Sequence, residues 1–111
     1  MKVLVYLFIR SEDLGKAINA LTEGGITGFF LYDYKGMSPQ DWKGFLLNED
    51  PESAVKIIND LSENAILIGT VLNTESVETL EKVIHDRLAN DKYTIIEIPI
   101  EDIKVNMPDK E

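Results

Sequence analysis

Residues 2–21, KVLVYLFIRSEDLGKAINAL, change the spacing of their apolar residues halfway along. The segment 2–9 is a short apolar run rich in β-branched and aromatic side chains, which predicts a strand. The apolar residues that follow Ser11, a residue able to cap a helix, have the spacing of one helix face: Leu14, Ala17, Ile18 and Leu21. A strand that leads directly into an amphipathic helix is the start of a βαβ unit.

The rest of the chain repeats this alternation. Further strands are predicted over 26–35, 65–72 and 93–100, and further helices over 51–62 and from about Asn73 to Leu88. Asp50 followed by Pro51 is a typical helix start, because aspartate caps the helix and proline suits its first position. Residues 36–50 are predicted to form a loop, since they contain two internal glycines and a proline.

The order of these elements predicts an α+β fold. Right-handed crossovers arrange two βαβ halves as a ferredoxin-like βαββαβ sandwich, with an extra helix between strands two and three. The chain of 111 residues has the length of one domain, so we expect a single domain over 1–111.

Composition excludes several classes of function. There is no cysteine, which removes disulfides, cysteine-ligated metals and thiol catalysis and fits a cytoplasmic location. The chain has 20 acidic and 11 basic residues, for a net charge of −9. We therefore expect no binding to nucleic acid and no insertion into a membrane. No catalytic set and no metal-ligand set of recognisable spacing is found.

The first two predicted strands are apolar on both faces, because Val3 and Val5 alternate with Leu4 and Tyr6. Two helices can cover only one face of the sheet. An open apolar face is rare on a soluble monomer, so we expect the chain to associate with itself. The alternative is that the helix at 51–62 covers this face.

The stretch from Leu14 to Met37 carries a more specific pattern. It joins the first helix to EGGITG at 23–28 and then to a strand that ends with Tyr34, Lys35 and Gly36. In this order and spacing it resembles the PII nitrogen-regulatory signal proteins, which have a helix, a GITG-type turn, a strand and a VKG-type exit. The order of strands and helices is compatible with that family as far as Ile100.

The resemblance implies a homotrimeric sensor rather than an enzyme, with small ligands bound in clefts between subunits. A long loop after strand two would dock on a partner protein. The implied ligand-binding residues are Thr27, Gly28, Lys35, Gly36 and Lys92. On the predicted loop, large apolar side chains of the kind that anchor interfaces make up the partner-binding set: Met37, Trp42 and Phe45.

The chain departs from the family where nucleotide phosphate is held. Gly36 is followed by Met37, Ser38 and Pro39, whereas the family has glycine and arginine there. After the last strand, Lys104 stands near two acidic residues instead of closely spaced arginines. Lysine lacks the bidentate fork of arginine. We therefore expect adenine nucleotides such as ATP to bind weakly, and a smaller anionic or an uncharged metabolite to bind better.

Three alternatives stay open at this point. Gly28 could relieve crowding at the start of a strand, with Gly36 opening the loop and the lysines solvated. The chain could be a small dimeric ferredoxin-like enzyme whose open sheet forms a cavity lined by Tyr6, Phe8, Phe30, Tyr32 and Trp42. It could also be a structural trimer resembling the CutA proteins, in which acidic residues provide weak metal sites.

Overall fold

The computed structural model describes residues 1–36, 49–61 and 63–108, and of residues 35, 36, 60, 61 and 63 it describes the backbone alone. The elements in chain order are β1 (Lys2–Arg10), a 3-10 turn (Ser11–Asp13), α1 (Leu14–Glu23), β2 (Phe30–Gly36), α2 (Pro51–Leu61), β3 (Glu63–Asn73), α3 (Thr74–Leu88) and β4 (Tyr93–Ile100).

The strands form one four-stranded antiparallel sheet in the order β2-β3-β1-β4. Each βαβ half therefore has a strand of the other half inserted between its own two strands, which is the ferredoxin-like arrangement. The α+β fold predicted from the sequence is confirmed, including the extra helix between strands two and three. Both β2 and β4 lie at edges of the sheet, which suits Pro99 near the end of β4.

Three element starts differ from the sequence prediction. Helix α1 begins at Leu14 after the 3-10 turn, and no side-chain cap supports that turn, so Ser11 is not the cap that was expected. Strand β2 begins at Phe30 instead of residue 26, and strand β3 begins at Glu63 instead of residue 65. The predicted cap of α2 is confirmed, because Asp50 Oδ2 accepts hydrogen bonds from the backbone N–H of Ser53 at 3.1 Å and from its hydroxyl at 3.0 Å.

The core lies between one face of the sheet and the helices α1 and α3. Odd-numbered residues of β1 point into it, and Val5 and Leu7 are each only 1% exposed. Buried side chains from the other elements complete it: Ala17, Leu21, Ile66, Ile68, Leu72, Val77, Leu80, Ile84 and Leu88. At residues 24 and 25 the chain leaves α1 in a turn that requires glycine at Gly25, where φ is +89°.

The opposite face of the sheet is also apolar, and we call it the open face. Its centre is a cluster of aromatic rings in edge-to-face contact: Tyr6, Phe8, Phe30, Tyr32 and Tyr34. Gly69 lies directly beneath the Phe30 ring, and a Cβ atom built there would stand 2.0 Å from the Phe30 ring. The open face continues onto β4 through Ile96 and Ile98.

Helix α2 does not close the open face. Tyr32 remains 59% exposed and Ile96 remains 43% exposed, with α2 in place. Val55 of α2 is itself 60% exposed, and the helix makes at most marginal contact with the other described elements. The alternative in which this helix covers the sheet is therefore not what the structure shows for the described residues.

Candidate functional site

The open face differs from the rest of the surface in charge. Among the described side chains of the four strands it carries no carboxylate; the one acidic residue whose backbone has the register of this face is Glu63, opposite Gly36 at one end of the sheet. The described charged side chains of this face are Lys2 and Arg10, at the two ends of β1. Two copies of a chain with net charge −9 therefore meet less electrostatic repulsion across the centre of this face than across a surface lined by carboxylates.

The predicted ligand-binding residues occupy three separate corners of the sheet. Thr27 and Gly28 precede the start of β2, whereas Lys35 and Gly36 lie at its far end. The seven residues of β2 span about 20 Å at the usual rise of a strand. Lys92 precedes β4, at the same end as Lys35 but beyond the opposite edge strand, about 14 Å across the sheet.

The corner at Gly28 has open space. The Gly28 carbonyl accepts a hydrogen bond of 2.6 Å from the hydroxyl of Thr70, a buried polar residue that is 3% exposed. A Cβ atom at Gly28 would meet no atom of the described residues within 4 Å. Against the described part of the chain, glycine at this position therefore relieves no crowding, which argues against that part of the alternative and leaves room for another group to approach.

The corner at Lys35 is polar. Backbone positions 35 and 36 pair with Asn64 and Glu63 of β3. Beside them lies a shallow depression of about 520 Å³, lined by Ser11, Asp33, Tyr34, Asn64 and Ala65. Its carboxylate, Asp33, works against a bound anion, so the depression on its own is a poor anion site.

The corner at Lys92 follows a turn that is held in place from α1. The Asp91 N–H donates to the Leu88 carbonyl, and its carboxylate accepts from Lys16 Nζ at 2.8 Å. That hydrogen bond raises the pKa of Lys16. A second ion pair joins Arg87 of α3 to Glu23 of α1 at 2.6 Å, and it lowers the pKa of Glu23. Both ion pairs hold α1 against α3 or the turn after it. Neither of them brings the corners at Gly28, Lys35 and Lys92 closer together.

The predicted partner-binding residues lie outside the described residues. Met37, Trp42 and Phe45 all fall within 37–48. Their role stays a prediction, and so does the part of Trp42 in the cavity of the enzyme alternative. The other four residues proposed for that cavity, Tyr6, Phe8, Phe30 and Tyr32, do share the open face.

One pair of side chains was missed in the sequence. Glu81 of α3 and Glu97 of β4 lie within hydrogen-bonding reach of each other. The hydrogen bond between the two carboxyl groups, aided by burial and by the charges of Glu97 and Glu78, raises the pKa of Glu81 to about 7. The sequence contains one sign of this pair, which is Glu97. It is an acidic residue at an inward-facing position of the apolar strand 93–100.

Metal binding and membrane insertion are the other two kinds of site that a chain rich in acidic and apolar residues raises. In the described ranges 1–36, 49–61 and 63–108, no three acidic or histidine side chains converge to hold a metal ion. The single histidine, His85, is exposed and has its Nδ1 2.9 Å from the hydroxyl of Tyr93. None of the described helices is long and apolar enough to cross a membrane.

Comparison with known proteins decides the family. A family model described as "uncharacterized protein, homolog of nitrogen regulatory protein PII" matches residues 1–107. The chain belongs to this family. The resemblance drawn from the stretch between Leu14 and Met37 is thereby confirmed, and it holds over nearly the whole chain of this PII homologue.

Relatives of this PII homologue are found in Methanocaldococcus jannaschii and Methanococcus maripaludis. It is 68% identical over 108 residues to the uncharacterized protein MJ1244 of Methanocaldococcus jannaschii, covering 97% of this chain and 100% of that one. It is 50% identical over 109 residues to MMP0618 of Methanococcus maripaludis, with 98% and 100% covered. A second M. jannaschii protein, MJ1245, is 40% identical over 107 residues, with 95% and 96% covered.

Solved structures of PII-like proteins share the fold. The PII-like protein CPII of Thiomonas intermedia K12 aligns with a TM-score of 0.63 at 14% identity, covering 96% of this chain and 94% of that one. A DUF3240 protein of Shewanella baltica OS155 aligns with a TM-score of 0.70 at 12% identity, covering 96% and 97%. At such low identity these matches establish the fold alone.

Proposed function

We propose that this PII homologue is a cytoplasmic, homotrimeric regulatory protein that binds a small anionic ligand in clefts between its subunits. The observation that carries the proposal is the open face, which is apolar, free of described carboxylates and left uncovered by α2. Such a face is stable in water when another copy covers it. The family also supports the proposal, since it is described as homologous to nitrogen regulatory protein PII.

The separation of the three corners supports a site between subunits. Within one chain, Gly28 and Lys35 lie at opposite ends of β2, and no rearrangement of side chains can join them. A neighbouring copy can bring its own Gly28 corner against the lysines of the first. The open space at Gly28 then serves as the place where the ligand or the neighbouring backbone approaches.

A small anion fits the available charge better than ATP does. CPII, a PII-like protein of the same fold, has been solved with ADP, AMP and bicarbonate. This chain lacks the arginines that the PII family has after the exit of strand two and after the last strand, and each missing charged hydrogen bond costs on the order of 1.5–3 kcal/mol of binding free energy. We therefore propose bicarbonate or a small carboxylate ahead of AMP and ADP, and ATP last.

The first experiment tests the assembly. Light scattering at micromolar concentration is expected to give three times the mass of one chain. Ile98→Asp places a charge on the open face and is expected to give a folded monomer. Val55→Asp, on the exposed side of α2, is the matched control and is expected to leave the trimer intact. A monomeric native protein would contradict the proposal, and a dimer would favour the enzyme alternative.

The second experiment tests the ligand. Calorimetry with bicarbonate, AMP, ADP and ATP is expected to show that affinity decreases in this order and is lost in Lys92→Ala. Lys82→Ala, an exposed position on α3, is the control and is expected to bind normally. Micromolar or tighter binding of ATP, lost in Lys92→Ala, would show that other groups replace the missing arginines.

The third experiment concerns the segment 36–50, which we propose as the contact with a protein partner. Hydrogen exchange is expected to be fast in this segment of the isolated protein and slower once a ligand or partner is bound. Protection equal to that of β1 without any ligand would mean that the segment belongs to the core.

A further inference from the structure

Two segments hold most of the apolar side chains that the described structure leaves in water. One is the edge strand β2 with the residue before it, where Phe29, Leu31 and Tyr32 are 49%, 42% and 59% exposed. The other is the segment after β4, which forms neither helix nor strand. Its residues Ile103 and Met107 are 46% and 82% exposed, with Val105 between them at 70%.

The segment after β4 has the pattern of a strand. Ile103, Val105 and Met107 alternate with Lys104 and Asn106, so that an extended chain would place three apolar side chains on one side and polar side chains on the other. The family model extends to residue 107, so this segment is part of the family's domain. Of the described strands, β3 alone pairs with β2, and the outer edge of β2 offers a place for a further strand.

The segment cannot form this ladder with β2 of its own chain. Ile100 pairs with Lys2, whereas Phe30 pairs with Gly69, which lies opposite Tyr6. The offset along the strands and the three strand spacings across the sheet put Ile100 about 20 Å from Phe30. The three residues to Ile103 extend at most about 11 Å. Pairing of 103–107 with β2 therefore requires two copies of the chain.

We propose that residues 101–107 of one copy form a strand on the outer edge of β2 of a neighbouring copy, antiparallel to it and with Val105 opposite Tyr32. This register places Ile103 opposite Tyr34 and Met107 opposite Phe30, so the apolar side chains extend the open face. On the other face of the sheet it sets Lys104 opposite Asp33 and Asp102 opposite position Lys35. Both of these cross-strand pairs join opposite charges.

Charge disfavours the two nearest registers that keep the apolar side chains on the open face. A slip of two residues in one direction places Lys104 opposite Lys35, and a slip of two in the other direction places Asp102 opposite Asp33. Like charges directly opposite each other destabilise a strand pair. A slip of one residue would turn Ile103, Val105 and Met107 away from the open face. The proposed register therefore keeps the apolar pattern and, unlike the registers nearest to it, sets opposite charges against each other.

The proposed contact is heterologous, because residues 101–107 of one copy, which we call the tail, meet the β2 edge of the next copy and not its tail. Contacts of this kind close into rings when the rotation between copies allows it, which suits a trimer. The inference rests on the self-association in the proposed function and adds a specific strand pairing to it.

The absence of cysteine makes a direct test possible. Two single variants, Tyr32→Cys and Val105→Cys, are prepared separately, mixed, and oxidised. Opposed residues of an antiparallel pair have Cα atoms about 4.5–5.5 Å apart, within the range that a disulfide spans. We expect a disulfide-linked product that contains one chain of each variant.

The matched control replaces Val105→Cys with Asn106→Cys. Its side chain points to the other face of the proposed strand, and we expect at least ten-fold less linked product with Tyr32→Cys. Equal linking in the two mixtures, or none in either, would overturn the proposed pairing.

A shortened chain that ends at Glu101 separates this inference from the proposed function. We expect its helices and strands to be unchanged by circular dichroism and its self-association to be at least ten-fold weaker. If the shortened chain associates as tightly as the full chain while Ile98→Asp is monomeric, the proposed trimer is supported and the proposed pairing of 101–107 with β2 is wrong. A monomeric full-length chain would overturn both.

Discussion

Both faces of the sheet are apolar, but one is covered by helices and the other is exposed to solvent in the single chain. In β1, Leu7 is 1% exposed beneath α1 and α3, whereas its neighbours Tyr6 and Phe8 are half-buried on the open face. The covered face is mostly aliphatic, while the open face has an aromatic cluster on one side and isoleucines on the other. Hydrophobic side chains are thus present on both faces, but helices cover only one.

This difference shows that apolar character alone does not tell a closed core from an interface. Burial depends on what the rest of the chain places over a strand, and the topology places α1 and α3 on the same side. The covered face should therefore determine the stability of the single chain, and the open face should determine its assembly. The following predictions test this division.

The largest effect is expected from Leu7→Ala. Removing a fully buried leucine side chain leaves a cavity and should lower the free energy of unfolding by about 2–5 kcal/mol. Leu4→Ala, in the same strand but on the open face, is the matched variant, and Leu4 is half-buried. Its cost should be smaller and should vary with protein concentration. Chemical denaturation at two concentrations measures both, and equal, concentration-independent losses would show that the open face is closed within one chain.

An intermediate effect is expected from Gly69→Ala. The added methyl group meets the Phe30 ring, which must shift and lose its edge contacts with Tyr6 and Tyr32. Overpacking of this kind should cost about 1–3 kcal/mol. Gly15→Ala in α1 is the control, because its methyl group meets no described atom within 4 Å and alanine suits a helix better than glycine, so this variant should lose no stability. Thermal unfolding compares the two variants, and an equal loss for both would mean that contact with the Phe30 ring does not cause the effect.

The smallest effect is expected from Glu81→Gln, and it should depend on pH. The pKa of Glu81 is raised to about 7 in the folded chain, whereas it is near 4.5 in the unfolded chain. The protonated carboxyl group of Glu81 therefore stabilises the fold fully below pH 4.5, and this stabilisation is lost as the pH rises through 7. At pH 8 the variant avoids the repulsion between Glu81 and Glu97. Because water screens this half-buried site, we expect a gain of about 1 kcal/mol at pH 8 and little change at pH 4.

The control for this pH dependence is Glu75→Gln, an exposed acidic position in the first turn of α3. Denaturation curves between pH 4 and pH 8 should show no comparable gain for it. If Glu81→Gln stabilised the chain equally at both ends of this range, the pair would not share a proton in the folded state.

The candidate site was only partly accessible to sequence reasoning. The pattern from Leu14 to Gly36 identified the family and selected residues of the proposed ligand site. It could not show that Gly28, Lys35 and Lys92 lie at separate corners, because their separation depends on which strands become neighbours. The Glu81–Glu97 pair escaped for the same reason, since 16 positions separate its members and only the packing of α3 on β4 joins them.

The sequence by itself determined the order of strands and helices, the apolar character of both sheet faces and the cap at Asp50. Each of these follows from neighbours within a few residues, through hydrophobic period and local hydrogen bonding. Only the tertiary structure decided which face is covered, that α2 leaves the other face open, and that the described residues leave space beside Gly28. These depend on contacts between residues far apart in the chain, and a local pattern contains no information about which distant segment will supply them.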